Sequence, residues 1–326
     1  MLIDGIGRRL TYLRVSVTQN CNLACTYCLP DGKTGFTPHD NFLSADHFVR
    51  LVSVFAEMGI ERVRLTGGEP LLRKDILEIV SGIRALPQIR TIHLSTNGVL
   101  LEKLARPLQA AGVSGVNISI DTLDPELFVR MAGEDFLGRV LSGLDAAIEA
   151  GMAPVKVNAV ILRGVNEDDI ERVADLSARL PVMVRFIELM PTAANADFQP
   201  DRFVSNEEIK ARLRANGTWR EVVLEERGGP ARYYSRGDGK GLVGFISPLS
   251  HNFCENCNRL RLTARGELRS CLFSEENVAL AQHLASPNWR GEIAAVIRRT
   301  LVEKPPSHFL GEGRWGNMVS FVNVGG

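Results

Sequence analysis

The sequence predicts an α/β fold, a partial, TIM-like (β/α)6 barrel followed by a smaller C-terminal α+β module. Three observations predict it. Short apolar runs alternate with amphipathic helical segments up to about residue 190. Polar or glycine-containing strings, among them Thr66-Gly67-Gly68-Glu69-Pro70, Thr96-Asn97-Gly98 and Asp121, directly follow apolar runs. After Pro191 the alternation stops, and short β-like runs between glycine-rich turns replace it. With 326 residues the chain nears the limit for one core, so two units are expected, 1–190 and 191–326.

In order, a strand over 12–17 leads to a cysteine-rich loop. Ser44 caps a helix to about 58 that lines up Phe48, Leu51, Val52 and Phe55 on one face. Strands over 62–65, 91–95, 115–120, 155–161 and 182–189 then alternate with helices over 75–85, 101–111, 137–150 and 168–179. Right-handed crossovers make such strands parallel, and six units leave a barrel open. By analogy with full barrels, function collects at the C-terminal strand ends. In the second unit, 192–200 reads as a loop, and Ser205-Asn206-Glu207-Glu208 is a capping box opening a helix. β-like runs follow over 221–224, 231–234 and 242–246. A basic amphipathic helix over 288–304 stops before Pro305-Pro306.

Lys plus Arg and Asp plus Glu both number 38, so the formal charge is zero. No global basic field draws nucleic acid, no polybasic run marks a membrane surface, and no apolar run of membrane-spanning length occurs. The first residues lack a signal-peptide pattern, so a cytoplasmic protein is expected. In that compartment six cysteines read as ligands rather than disulfides.

Cys21, Cys25 and Cys28 are spaced C-x3-C-x2-C just beyond the first strand. Three thiolates on one loop suit a soft metal centre, and a set of three leaves one position open for a small molecule. The alternative is a structural zinc completed by a distant residue. Cys254, Cys257 and Cys271 form a second triplet, C-x2-C-x13-C, and zinc with His251 as fourth ligand is its alternative. Two incomplete triplets in one chain favour two clusters, each with an open iron. Arg259 and Arg261 beside the second offer a phosphate-binding surface, or else solvated charge. No GxxxxGK[ST] phosphate loop is present, and 237–241 reads as a turn. Arg14, Arg64, Ser95 and Lys156 fall in or at the ends of expected strands, where separate cations aim into a cavity. Gly67 and Gly68 let backbone approach a ligand closely.

The first triplet followed by Thr66-Gly67-Gly68-Glu69-Pro70 resembles the radical S-adenosylmethionine enzymes. Further segments carry the resemblance to the GTP 3′,8-cyclase family of molybdenum cofactor biosynthesis: 12–18, 64–71, Val155-Lys156-Val157-Asn158, 185–190, the second triplet with Asn258-Arg259-Leu260-Arg261-Leu262, and Gly325-Gly326. The resemblance implies two 4Fe–4S clusters, on Cys21, Cys25 and Cys28 and on Cys254, Cys257 and Cys271. It implies S-adenosylmethionine lined by Tyr27, Gly68, Ser119 and Met190, and GTP contacted by Arg14, Arg64, Ser95, Lys156, Arg259, Leu260 and Arg261. It also implies a homodimer, an electron donor and transfer of product to the next enzyme of the pathway. Ser95 stands where many relatives have threonine, and Leu29 where many have methionine. Two other readings are a radical maturase acting on a peptide and a non-catalytic metal-binding scaffold. The last ten residues carry Met318, Val319, Phe321, Val322 and Val324, which suits docking of the tail into the cavity.

Overall fold

The computed structural model describes residues 1–30, 32, 42–215, 217–224, 229–237 and 239–325. A hairpin, β1 (Leu2–Ile3) and β2 (Arg9–Leu10), precedes the barrel. The six expected strands form as β3 (Tyr12–Ser16), β4 (Arg62–Thr66), β5 (Thr91–Thr96), β6 (Val113–Ser119), β7 (Val155–Val160) and β8 (Met183–Ile187), each parallel to the next. Between them run α1 (Ala45–Glu57), α2 (Ile76–Arg84), α3 (Leu101–Ala111), α4 (Pro125–Ala132), α5 (Leu137–Glu149), α6 (Ile170–Ala174) and α7 (Leu176–Arg179). Ser44 caps α1 by accepting from the His47 N–H, and Phe48, Leu51, Val52 and Phe55 are all fully buried.

Two local expectations change. The single helix over 168–179 is a 3-10 turn (Glu167–Asp169) and then α6 and α7, because at Asp175 the backbone tightens to ψ −14°. The sequence reading also passed over α4. Asp124 caps it, accepting from the Leu127 N–H at 2.8 Å, and Pro125 opens its first turn.

The C-terminal half continues with α8 (Gln199–Arg202), α9 (Asn206–Arg214), β9 (Trp219–Val222), β10 (Arg232–Arg236), β11 (Leu242–Ile246), β12 (Arg259–Leu262), β13 (Glu267–Arg269), β14 (Val278–Ala279), α10 (Trp289–Val302) and α11 (Phe321–Val324). The capping box at α9 forms between Ser205 and Glu208. Both edges of the six-stranded sheet are extended by this half. β11 runs parallel to β8, β12 runs parallel to β3, and the full order is β14-β13-β12-β3-β4-β5-β6-β7-β8-β11-β10-β9. Side chains alternate along each central strand. Leu13, Val15, Val63, Leu65, Val157, Val184, Leu260 and Leu262 belong to the core. Tyr12, Arg14, Arg64, Asn158, Arg185, Arg259 and Arg261 line a cavity on the other face. Among the described residues, no helix is long and apolar enough to cross a membrane.

Candidate active site

The loop after β3 brings Cys21, Cys25 and Cys28 to one cavity of about 220 Å³. Two bonds from the loop to the end of α4 hold it, Ala24 N–H to the Ala132 carbonyl and Thr26 N–H to the Met131 carbonyl, each 2.9 Å. The segment entering the loop is held by Gly68 N–H on the Thr18 carbonyl (2.9 Å) and Glu69 N–H on the Asn20 carbonyl (2.7 Å). A Cβ placed on Gly68 would lie 2.4 Å from the Asn20 oxygen and 2.6 Å from the Gln19 oxygen. One on Gly67 would lie 2.5 Å from the Thr18 oxygen. The two glycines therefore admit the cysteine-bearing chain itself, a closer constraint than the ligand approach read from the sequence. Gly68 also lines the cavity, with Tyr27, Ser119 and Met190, so the four residues expected around S-adenosylmethionine share one space with the three cysteines.

Polar side chains already sit beside these sulfurs. Asn97 Nδ2 lies 3.8 Å from Cys21 Sγ, and Ser320 Oγ lies 3.7 Å from Cys28 Sγ. Without a metal the thiols are held neutral. Burial, with Glu69 next, pushes Cys21 up to about 12, and burial pushes Cys25 well above the ordinary thiol value. Bringing in a cation reverses that balance, since coordination deprotonates a thiol. Among the described residues, no three His, Cys, Asp or Glu side chains are arranged around a single metal ion. A 4Fe–4S cluster takes each thiolate at a different iron, so three cysteines around one cavity fit it without converging on a point. Asp121, which the sequence reading named only as a strand-end residue, accepts from the Tyr27 hydroxyl at 2.9 Å and the Val160 N–H at 2.8 Å. Burial raises its carboxyl to about 6.

The second triplet lines a cavity of about 180 Å³ that shares Ser95, Asn158, Ile187 and Met190 with the first. Arg14, Arg64, Ser95, Arg259 and Arg261 line it too. Strand register assembles them. Arg261 pairs with Arg14 across β12 and β3, and Arg14 with Arg64 across β3 and β4. Arg64 is held by Tyr12, whose hydroxyl accepts from its Nε, and by His93 Nδ1 at 3.1 Å. Lys156 instead lines an adjoining space with Arg185 and Arg259. Leu260 lines neither cavity. Its side chain is fully buried in the core, which leaves only its main chain for a ligand. Arg185, unassigned in the sequence reading, is 7% exposed and grips Asn158 Oδ1 through Nε (2.9 Å) and Nη2 (2.6 Å). Its place in β8, one cation among apolar residues like Arg14 in β3, was the available signal. His251 is exposed and meets Glu207 at 3.3 Å, and among the described residues it joins no group of three side chains placed to hold a metal ion.

The tail enters this site. Met318, Val322 and Val324 are buried, while Val319 is exposed. Ser320 Oγ donates to the Cys28 carbonyl at 2.5 Å. The Gly325 carbonyl accepts from Arg261 Nη1 at 2.7 Å and Arg14 Nη2 at 3.4 Å. Gly325 has φ +69°, and a Cβ there would lie 2.4 Å from Thr66 Cγ2. Gly326 lies outside the described residues.

Residues 15–177 match the Radical SAM superfamily model, and residues 182–310 match the model for Molybdenum Cofactor Synthesis C. A GTP 3′,8-cyclase of Shewanella denitrificans is 39% identical over all of this chain and 96% of its own length. One of Thermodesulfovibrio yellowstonii is 41% identical over 93% of this chain and 94% of its own. The chain belongs to the GTP 3′,8-cyclase family. Like the family, it is a radical S-adenosylmethionine lyase of molybdenum cofactor synthesis. The fold is similar to that of Streptococcus suis SuiB bound to S-adenosylmethionine, with a TM-score of 0.63 at 14% identity over 89% of this chain and 68% of that one. For the GTP 3′,8-cyclase family, two cysteine triplets lining neighbouring cavities that share four residues make a coherent site.

Proposed function

We propose that this chain binds S-adenosylmethionine in the first cavity and GTP in the second, and that it converts GTP to (8S)-3′,8-cyclo-7,8-dihydroguanosine 5′-triphosphate. The observation that carries the reading is that the two cavities share Ser95, Asn158, Ile187 and Met190 in their linings, with a cysteine triplet on each side. Cys21, Cys25 and Cys28 hold one 4Fe–4S cluster, and Cys254, Cys257 and Cys271 hold the other. A cluster and S-adenosylmethionine bound in the first cavity would supply the chemistry for hydrogen abstraction at ribose C3′; the reductant would provide one electron for that cleavage and, once C3′ is bonded to guanine C8, a second electron that with a proton completes the dihydro product.

The protein's own work is placement. Tyr27, Gly68, Ser119 and Met190 border S-adenosylmethionine, and Asp121 fixes the Tyr27 hydroxyl. Arg14, Arg64, Arg259 and Arg261, with Lys156 and Arg185 alongside, supply the positive charge that a triphosphate needs. Ser95 stands at the junction, where its hydroxyl reaches either ligand. Leu260 contributes through its backbone. The tail, with Gly325 between Arg14 and Arg261, reaches the substrate's place and helps position it.

The reading divides the chain into units 1–190 and 191–326, whereas the two family matches part earlier, between 177 and 182, just ahead of β8. A cytoplasmic homodimer, fed by an electron donor and passing product to the next enzyme of the pathway, completes the reading. The test is anaerobic incubation of the reconstituted protein with GTP, S-adenosylmethionine and a reductant. Chromatography with mass spectrometry should find 5′-deoxyadenosine, methionine and a product isomeric with GTP. Unchanged GTP beside abundant 5′-deoxyadenosine would rule out GTP as the substrate.

A further inference from the structure

Lys304, just beyond α10, is a cation enclosed by protein and only 4% exposed. Its Nζ donates to the Ser270 carbonyl and, at 3.5 Å, to the Arg259 carbonyl. Ser270 immediately precedes Cys271, and Arg259 follows Cys257 by two residues. One ammonium thus ties together the two chain segments that carry these cysteines. Arg8, from the N-terminal hairpin, does the same for the third. Its Nη1 donates to the Cys254 carbonyl at 2.7 Å and the Pro306 carbonyl at 2.9 Å, and its Nη2 donates to the Pro305 carbonyl at 2.8 Å. The run 304–306 and Arg8 therefore form one strap under the whole triplet.

The two cations differ in their charge balance. Arg8 is paired with Asp4 at 2.6 Å. Among the described residues Lys304 belongs to no ion pair, and carbonyl dipoles alone offset its charge. Burying an unpaired ammonium is costly. Burial lowers its proton affinity overall, Cys257 and Cys271 oppose that, and the nearby cations Arg8 and Arg259 add to it.

We propose that Lys304 is a positioning and charge-compensating residue for an iron–sulfur cluster on Cys254, Cys257 and Cys271. The inference rests on the two-cluster reading above. A cluster held by three thiolates is a net anion and gains a further negative charge on reduction. A fixed cation beside it favours loading and raises its midpoint potential, and the two carbonyl bonds keep Cys257 and Cys271 in register.

The test uses the full chain with Cys21, Cys25 and Cys28 replaced by alanine, so that only the second triplet loads. Lys304 is kept or replaced as Lys304→Met or Lys304→Arg. Iron and sulfide per chain are measured after anaerobic reconstitution, and the midpoint potential is taken from a redox titration followed by electron paramagnetic resonance. The methionine variant should load less cluster, and the cluster it holds should be reduced at a lower potential. Arginine should restore both. Loading and potential equal to the parent in the methionine variant overturn the inference. So does reduced loading with an unshifted potential, because a merely structural residue would do that. A parent that loads no cluster removes the two-cluster reading, and this inference with it.

Discussion

Replacing Gly68 by alanine tests how the first triplet is held. The new Cβ would stand 2.4 Å from the Asn20 carbonyl oxygen and 2.6 Å from that of Gln19, where ordinary contact begins at 3.4 Å. Both obstacles are backbone, so no rotamer change relieves them, and the 18–20 segment has to retreat by about 1 Å, an overpacking that costs about 1–3 kcal/mol. The retreat also strains the Gly68 N–H bond to Thr18 (2.9 Å) and the Glu69 N–H bond to Asn20 (2.7 Å). Each contributes about 0.5–1.5 kcal/mol, so the total destabilisation should be about 2–6 kcal/mol if both are lost. Because Asn20 adjoins Cys21, cluster loading and S-adenosylmethionine affinity should fall together. Urea unfolding of the unloaded protein gives the energy, and iron per chain with calorimetric binding gives the rest. Gly138→Ala in α5 is the control, since a Cβ there meets nothing within 4 Å. Gly68→Ala with parental stability, iron content and S-adenosylmethionine affinity would refute the close-approach argument.

The remaining expectations follow from the same geometry. Cys21→Ala should abolish 5′-deoxyadenosine, while Cys257→Ala should weaken GTP binding more than S-adenosylmethionine binding; loss of S-adenosylmethionine binding alone in both would break the two-site assignment. Arg259→Ala and Arg261→Ala should each cost about 1.5–3 kcal/mol of GTP affinity and less for guanosine, measured by calorimetry, with equal losses counting against phosphate contact. Burial, then Arg185, Arg64 and Arg62, pushes Lys156 down to about 7. The free protein therefore holds it partly neutral at neutral pH, and a bound triphosphate restores its charge. GTP affinity should then fall as pH rises from 7 towards 9, by up to about tenfold per unit, with proton uptake seen in buffers of different ionisation heat. A flat profile without uptake contradicts this. Removing Gly325 and Gly326 should leave fold and clusters intact but abolish cyclisation, and unchanged turnover per cluster would assign the tail no role.

The barrel half was legible because its signals are local. Six apolar runs, the Ser44 cap and the Ser205–Glu208 capping box depend on neighbours in sequence, and the structure forms each of them. The missing parts depend on distant chain. Residues 259–262 read as a charged stretch beside a cluster, yet they form β12 on the edge of β3, with Arg259 opposite Tyr12. That pairing turns Arg259 and Arg261 to the cavity and Leu260 to the core, a distinction that needs the strand to be recognised first. Helix α4 was hidden by its shortness, although Asp124-Pro125 was a readable start. The reason for Gly67 and Gly68 lies in the approach of 18–20, which no local pattern announces. Arg185, Arg8 and Lys304 went unassigned because an isolated cation reads as surface charge until its partners are known.

The central claim is that a radical made in the first cavity reaches a nucleotide held in the second. GTP carrying deuterium at ribose C3′ tests it most directly, under anaerobic turnover with S-adenosylmethionine and a reductant. The account predicts deuterium in the recovered 5′-deoxyadenosine, matched to the amount of GTP isomer formed. Deuterium that stays in the nucleotide while unlabelled 5′-deoxyadenosine accumulates would contradict it.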